Sequence, residues 1–235
     1  MFSFLIFKII FAFSAQAKTL QGVATSINDS KIVYLEEHHI EMGENGLNKK
    51  IETKYYTPEK KLFAEMTSDF SKNSTLPIVK FTDSRFNRVE EFTFDASGQH
   101  VIFTTKKMGQ EMSSKKIPIA NNMAAGQGFD NFIKINFEKL QKKPVSLQFG
   151  VLSEMDFFSF KGYKKKDVSA KSIQFGIDLS SFLLRFFSKE LILEYDIEKK
   201  EILSYQGLSN ILNDEGKPQS VLIKYSSSTK SEARE

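Results

Sequence analysis

From Lys31 to Tyr225 the chain is written almost throughout in two-residue alternation, apolar then polar, punctuated by Gly, Asn, Asp and Pro. Alternating side chains point to opposite faces of a strand, so such a chain folds into antiparallel sheet with one packed face and one wet one. One segment breaks the rule. In Gly128–Lys142 (GFDNFIKINFEKLQK), Phe129, Phe132, Ile133, Phe137 and Leu140 recur at spacings of three and four, the stripe of an amphipathic helix. Asp130 in the first turn suits the positive end of that helix; Lys139, Lys142 and Lys143 suit the negative end before Pro144 stops it. A helix this short is marginal alone, so its phenylalanines must pack on a surface, and the surface on offer is a sheet.

The strands begin with Lys31–Met42, closed by the turn Gly43–Gly46, and continue through short segments to an expected strand at Glu111–Ile119. After the helix, Val145, Leu147, Phe149 and Val151 share one face of a strand, with Ser146, Gln148 and Gly150 on the other. Met155–Tyr163 and Val168–Ile177 pair across a turn at Lys164–Asp167, and the last strand is Ser220–Tyr225. Ser180–Phe187 (SSFLLRFF) reads equally as a helical turn or a buried strand. A flat open sheet rarely carries about 10–12 strands, so the expected fold is mainly β: a strongly curved antiparallel sheet or incomplete barrel on one helix at 128–142. A two-sheet β-sandwich is the alternative.

Phe2–Phe13 is a short apolar run followed by Ala15-Gln16-Ala17, the small-x-small pattern of a cleaved leader, so residues 1–17 read as a signal peptide and Lys18 as the mature start. The run is too short to span a bilayer and holds Lys8, so no transmembrane span is expected after cleavage. With no cysteine there is neither a lipid-anchor site nor a disulfide, and the expected address is the periplasm. A single β-rich domain is expected over 18–225, with 226–235 composed like a disordered tail. The net charge of +4, falling to +3 when Lys8 leaves, is spread over charges of both signs, which argues against a nucleic-acid partner. The densest basic clusters, Lys164–Lys166 and Lys49–Lys50, read as solvated hairpin ends.

Three stretches, Tyr34–His38 (YLEEH), Gly128–Ile133 (GFDNFI) and Gly207–Ile211 (GLSNI), together with the leader resemble a family of uncharacterised exported proteobacterial proteins of about this size. The strand count and single helix also resemble, at the level of fold, the half-barrel proteins that carry lipoproteins across the periplasm. These resemblances imply a compartment and a fold, not an activity.

Two sets of residues are candidates for a site. Glu36 and His38 share one face of a strand while Glu37 and His39 take the other, so the first pair offers a polar site: an acid–base pair, or two metal ligands needing further partners such as His100. Asp or Glu residues of neighbouring strands could also complete such a site, but the sequence does not show which, and no metal or cofactor is assigned. The second set is aromatic: Phe129, Phe132, Ile133 and Phe137 of the helix, with Phe157, Phe158, Phe160 and Phe175 of the late strands, are placed to hold an apolar ligand between helix and sheet. The expected function is therefore a non-enzymatic periplasmic binder or carrier of a lipid, acyl chain or lipidated peptide. The alternatives are a module docking an envelope protein and an enzyme using Glu36 and His38. Gly207-Leu-Ser209-Asn-Ile211 lacks the last glycine of a nucleophile elbow and reads as a corner in which Ser209 or Asn210 binds backbone. Gly126-Gln127-Gly128 reads as a permissive loop into the helix.

Overall fold

The computed structural model describes residues 17–179 and 191–228. Fifteen strands form one continuous sheet. One arm is a meander: β1 (Ala17–Ser26), β2 (Ile32–Met42), β3 (Asn48–Tyr56), β4 (Leu62–Asp69), β5 (Ile78–Asp83), β6 (Arg88–Phe94), β7 (His100–Lys106) and β8 (Ser113–Pro118). The other arm comprises β9 (Met123–Ala125), β10 (Val145–Val151), β11 (Asp156–Asp167), β12 (Ser172–Leu179), β13 (Leu191–Asp196), β14 (Ile202–Leu208) and β15 (Ser220–Ser228). β1 and β15, remote in sequence, pair antiparallel over Thr19–Ser26 and join the arms, leaving β8 and β9 as the two edges. Among the described strands only β9 and β10 run parallel, because the helical segment crosses between them.

The sheet curls until its two arms meet through side chains rather than hydrogen bonds. Phe103 of β7 lies 5.3 Å from Phe157 of β11, ring centre to ring centre, and Lys115 of β8 pairs with Asp156. Gly150 permits this approach: a Cβ there would lie 3.1 Å from the Phe103 ring. The fold is an incomplete barrel, not a sandwich, since one ladder runs unbroken from edge to edge.

The helical segment differs from the expected single helix. It is split into α1 (Gly128–Ile135) and α2 (Phe137–Lys142) at Asn136, whose side-chain amide and backbone N–H both donate to the Phe132 carbonyl. A short polar side chain that binds the turn behind it competes with helix propagation. Even so, Phe132, Ile133, Phe137 and Leu140 stay buried on one side, packed on Leu147, Ile173, Phe175 and Ile177. Asn131, fully buried, fastens α1: its oxygen accepts the Asn48 N–H, and its amide donates to the carbonyls of Asn48 and Ser74. Gly128 is required by contact, since a Cβ would sit 2.0 Å from the Thr75 carbonyl oxygen.

Other departures have local causes. β1 escaped the pattern because two of its inward residues are the small Gly22 and Ala24, which give little hydrophobic signal. Lys164–Asp167 is not a turn: β11 runs through it with a bulge at Lys164–Lys166, and the reversal comes at residues 168–171. Lys164, Lys165 and Lys166 are exposed, although β12 keeps Ile173 and Phe175 buried at the same level. β15 continues to Ser228, so residues 226–228, expected in the tail, pair with β1. The expected leader before Ala17, the segment Ser180–Phe187 and residues 229–235 lie outside the described residues.

Candidate functional site

Strand alternation in β2 sends Tyr34, Glu36, His38 and Ile40 to the concave face, where all four are buried. Facing residues of β1, β3, β4, β10, β11, β13, β14, β15 and α1 line with them a partly open cavity of about 310 Å³. Its walls are mainly apolar: Leu20, Ile40, Ile51, Met66, Phe129, Phe149, Phe160, Leu191, Leu193, Ile202 and Ile223. Its polar groups are few and concentrated. Glu36, His38, Tyr34, Tyr55, Tyr205, Tyr225, Ser209 and Asn210 form one polar zone, and Asp130 with Tyr195 and Asn48 forms another beside α1.

Glu36 owes its pose to Gly22. Gly22 on β1 lies opposite both Glu36 on β2 and Tyr225 on β15, and an added Cβ would meet Glu36 Cγ at 2.6 Å and Oε1 at 2.9 Å. The missing side chain lets the carboxylate lean over β1, on the side of Tyr225. On its other side Glu36 Oε1 stands 3.0 Å from His38 Nε2, and His38 Nδ1 is 2.8 Å from Thr53 Oγ1. Gln127, at the entry to α1, donates to Thr53 Oγ1 at 2.7 Å and accepts from Ser68 Oγ at 2.8 Å. The loop Gly126–Gly128 is thereby tied to the floor of the cavity by side chains.

Burial, and after it the charge of Glu36, pushes the hydroxyls of Tyr34, Tyr55, Tyr205 and Tyr225 above their ordinary range. The four phenols therefore stay neutral and act as hydrogen-bonding groups. Tyr34 pairs with Ser209 Oγ at 2.9 Å, Tyr55 accepts from Asn210, and Tyr205 donates to the Leu208 carbonyl at 2.6 Å. Ser209 Oγ also accepts the Ile211 N–H at 2.9 Å, so the Gly207–Ile211 stretch is the expected corner. Gly207 is needed there, because a Cβ would lie 2.2 Å from Leu191 Cδ2.

Asp130 is held differently. Burial works to raise its carboxyl, but the Lys134 ammonium at 2.8 Å, with hydrogen bonds from Lys134, Asn48 and Tyr195, outweighs burial and holds it below the usual carboxylate range.

The structure brings together Glu36 and His38, and Phe129 and Phe160 at the cavity wall. It places the other aromatic candidates elsewhere. Phe132, Ile133, Phe137 and Phe175 fill the solid core beneath the helices, and Phe158 packs against that core. Phe157 stacks edge-on with Phe92 and Phe103 where the arms meet. Phe132, Ile133, Phe137 and Phe175 are each no more than 5% exposed, packed across the seam between helix and sheet, and none of them lines the cavity. His100 lies on β7 beside Asp95, at 3.3 Å, and does not line the cavity. Among the described residues no group of three or more His, Cys, Asp and Glu side chains is arranged to hold a metal ion. The four tyrosines were not singled out in the sequence. Their signal was faint: Tyr34 shares the β2 face of Glu36, whereas the other three converge only through strand order.

No protein-family model matches the chain, and no curated protein matches it. Among solved structures, a β-barrel-like protein of the domain of unknown function DUF1849 from Brucella abortus is similar at 6% identity and a TM-score of 0.41, over 91% of this chain and 98% of the other. A porin-like protein from Bacteroides uniformis is similar at 8% identity and a TM-score of 0.29, over 89% of this chain and 96% of the other. Both likenesses are too remote to bear on function. No helix among the described residues is long and apolar enough to cross a membrane.

Proposed function

We propose that this chain is a non-enzymatic binder or carrier of an amphiphilic ligand, a lipid or another molecule with an alkyl part, held inside the incomplete barrel. The observation that supports it is the interior cavity of about 310 Å³, apolar along its walls and polar at one zone. Pockets that hold small molecules have this make-up, mostly apolar lining with a few convergent polar groups, and start at roughly 300 Å³. Burying an alkyl chain against such walls contributes about 0.8 kcal/mol per methylene. In the exported setting expected from the leader, such a module would shield an apolar molecule from water. The test is native mass spectrometry of the protein purified without detergent from its own cells, followed by solvent extraction. A stoichiometric organic adduct that disappears in Ile40→Phe, which fills the cavity, is the expected result; a clean apo mass in both proteins would sink the reading.

The free edge at β8 favours a second reading, the docking of a partner protein. Its residues are exposed and its outer side is unpaired among the described strands, so an incoming strand can extend the sheet. Lys116→Pro, which removes an N–H on the open side of β8, should then abolish capture of that partner while leaving the adduct in place.

A further inference from the structure

We infer that the ligand of the cavity carries a positively charged amine or ammonium head group, received by Glu36, with its alkyl part along Phe129, Phe149 and Leu193. The inference rests on the ligand-binding reading and adds the charge of the head group.

The direction of the hydrogen bonds carries it. Ser68 Oγ donates to Gln127 Oε1, which fixes the amide so that Nε2 points away, donating to Thr53 Oγ1 at 2.7 Å and standing 3.4 Å from His38 Nδ1. Thr53 Oγ1 accepts from Gln127 and stands 2.8 Å from His38 Nδ1, with its own proton free to be donated there. The Gln127 amide nitrogen beside Nδ1 has only protons to offer, so Nδ1 accepts and the imidazole carries its proton on Nε2, donating to Glu36 at 3.0 Å. In this arrangement the Glu36 carboxylate is held by a neutral donor, His38 Nε2–H, and by no cation.

A buried carboxylate is normally paired with a positive charge, because desolvating it alone costs several kcal/mol. The Glu36 side chain is only 4% exposed, yet no Lys or Arg is found among the described residues lining the cavity. The contrast with Asp130 sharpens the point: the other carboxylate of the cavity has its own cation, Lys134, at 2.8 Å. The unbalanced negative charge lies within the cavity and among the rings of four tyrosines, and a buried acid among electron-rich rings is the make-up that receives an ammonium group. A head group bearing a carboxylate or phosphate would instead meet the charge of Glu36 at close range.

The experiment is isothermal titration of the full chain with three probes sharing one tail: decylammonium, decanol and decanoate. Decylammonium should bind at least about tenfold more tightly than decanol, the margin of one charge-assisted hydrogen bond, with decanoate weakest. Glu36→Gln, which keeps the shape of the side chain and removes its charge, should bring decylammonium to the level of decanol. Should that variant fail to fold, the ranking in the unaltered protein decides alone. Equal affinities, or decanoate in the lead, would overturn the charge of the head group; if decanol binding is still lost in Ile40→Phe, the ligand-binding reading stands. Binding by none of the probes, or binding indifferent to Ile40→Phe, would overturn both.

Discussion

The barrel has a solid end and a hollow end, built from the same residue types by the same alternation. Beneath the helices, Phe132, Ile133, Phe137 and Leu140 meet Ile173, Phe175 and Ile177 with no space left over. Next to them, Leu20, Ile40, Ile51 and Met66 are just as buried but surround a cavity, because their neighbours on the concave face include Glu36, His38 and the tyrosines. Polar groups hydrogen-bonded sideways into one another cannot collapse inward to fill a void without losing partners. Aromatic density alone therefore marks a core; a site is marked where buried polar groups interrupt it.

The distinction can be broken by substitution at either end. Phe175→Ala at the solid end should cost about 3–5 kcal/mol by urea denaturation, with the affinity of the protein that remains folded for its ligand unchanged. Loss of ligand in step with stability would mean the two ends are not separate. Gly22→Ala forces a Cβ against Glu36 and should cost about 1–3 kcal/mol, and it should disturb the hollow end alone, shifting ligand affinity far more than Phe175→Ala does. Tyr195→Phe, at the boundary, removes a hydrogen bond to Asp130 worth about 1 kcal/mol.

Asp130 also has a pH signature. Its folded pKa is depressed, so the stability it contributes is fully present above the unfolded carboxylate value of about 3.9 and is lost as pH falls through the lower folded value. Tyr195→Phe moves the folded value back toward the unfolded one and should flatten the decline of unfolding free energy between about pH 5 and about pH 3. An unchanged slope would show that Tyr195 does not hold the charged form. The smallest stability effect is expected from Ile40→Phe, within about 1 kcal/mol, because the added volume enters empty space rather than a packed core. That substitution should nonetheless abolish ligand retention, and it is the sharpest test that the hollow end is the functional one.

Much of this was legible in residue order. Alternation placed Glu36 and His38 on one buried face, and the three-and-four spacing from Phe129 to Leu140 gave the helical stripe, though not its break at Asn136, where a side-chain bond to the preceding turn decides. Gly22 and Ala24 hid β1, since a strand whose inward residues are small carries little hydrophobic signal. The phenylalanines could be recognised as buried but not sorted between plug and wall, because burial is local while free volume depends on every side chain around it.

By itself, then, the sequence determined a curved antiparallel sheet over an amphipathic helical segment, because period two and period three-to-four leave a chain few other ways to bury its apolar faces. Tertiary structure alone decided that β15 pairs with β1, that Gly22 makes room for a carboxylate to lean toward Tyr225, and that four tyrosines from four strands meet around it. Those juxtapositions bring together residues just over two hundred positions apart, from Gly22 to Tyr225. No pattern within a single strand encodes them; they follow from which strands become neighbours when the sheet curls.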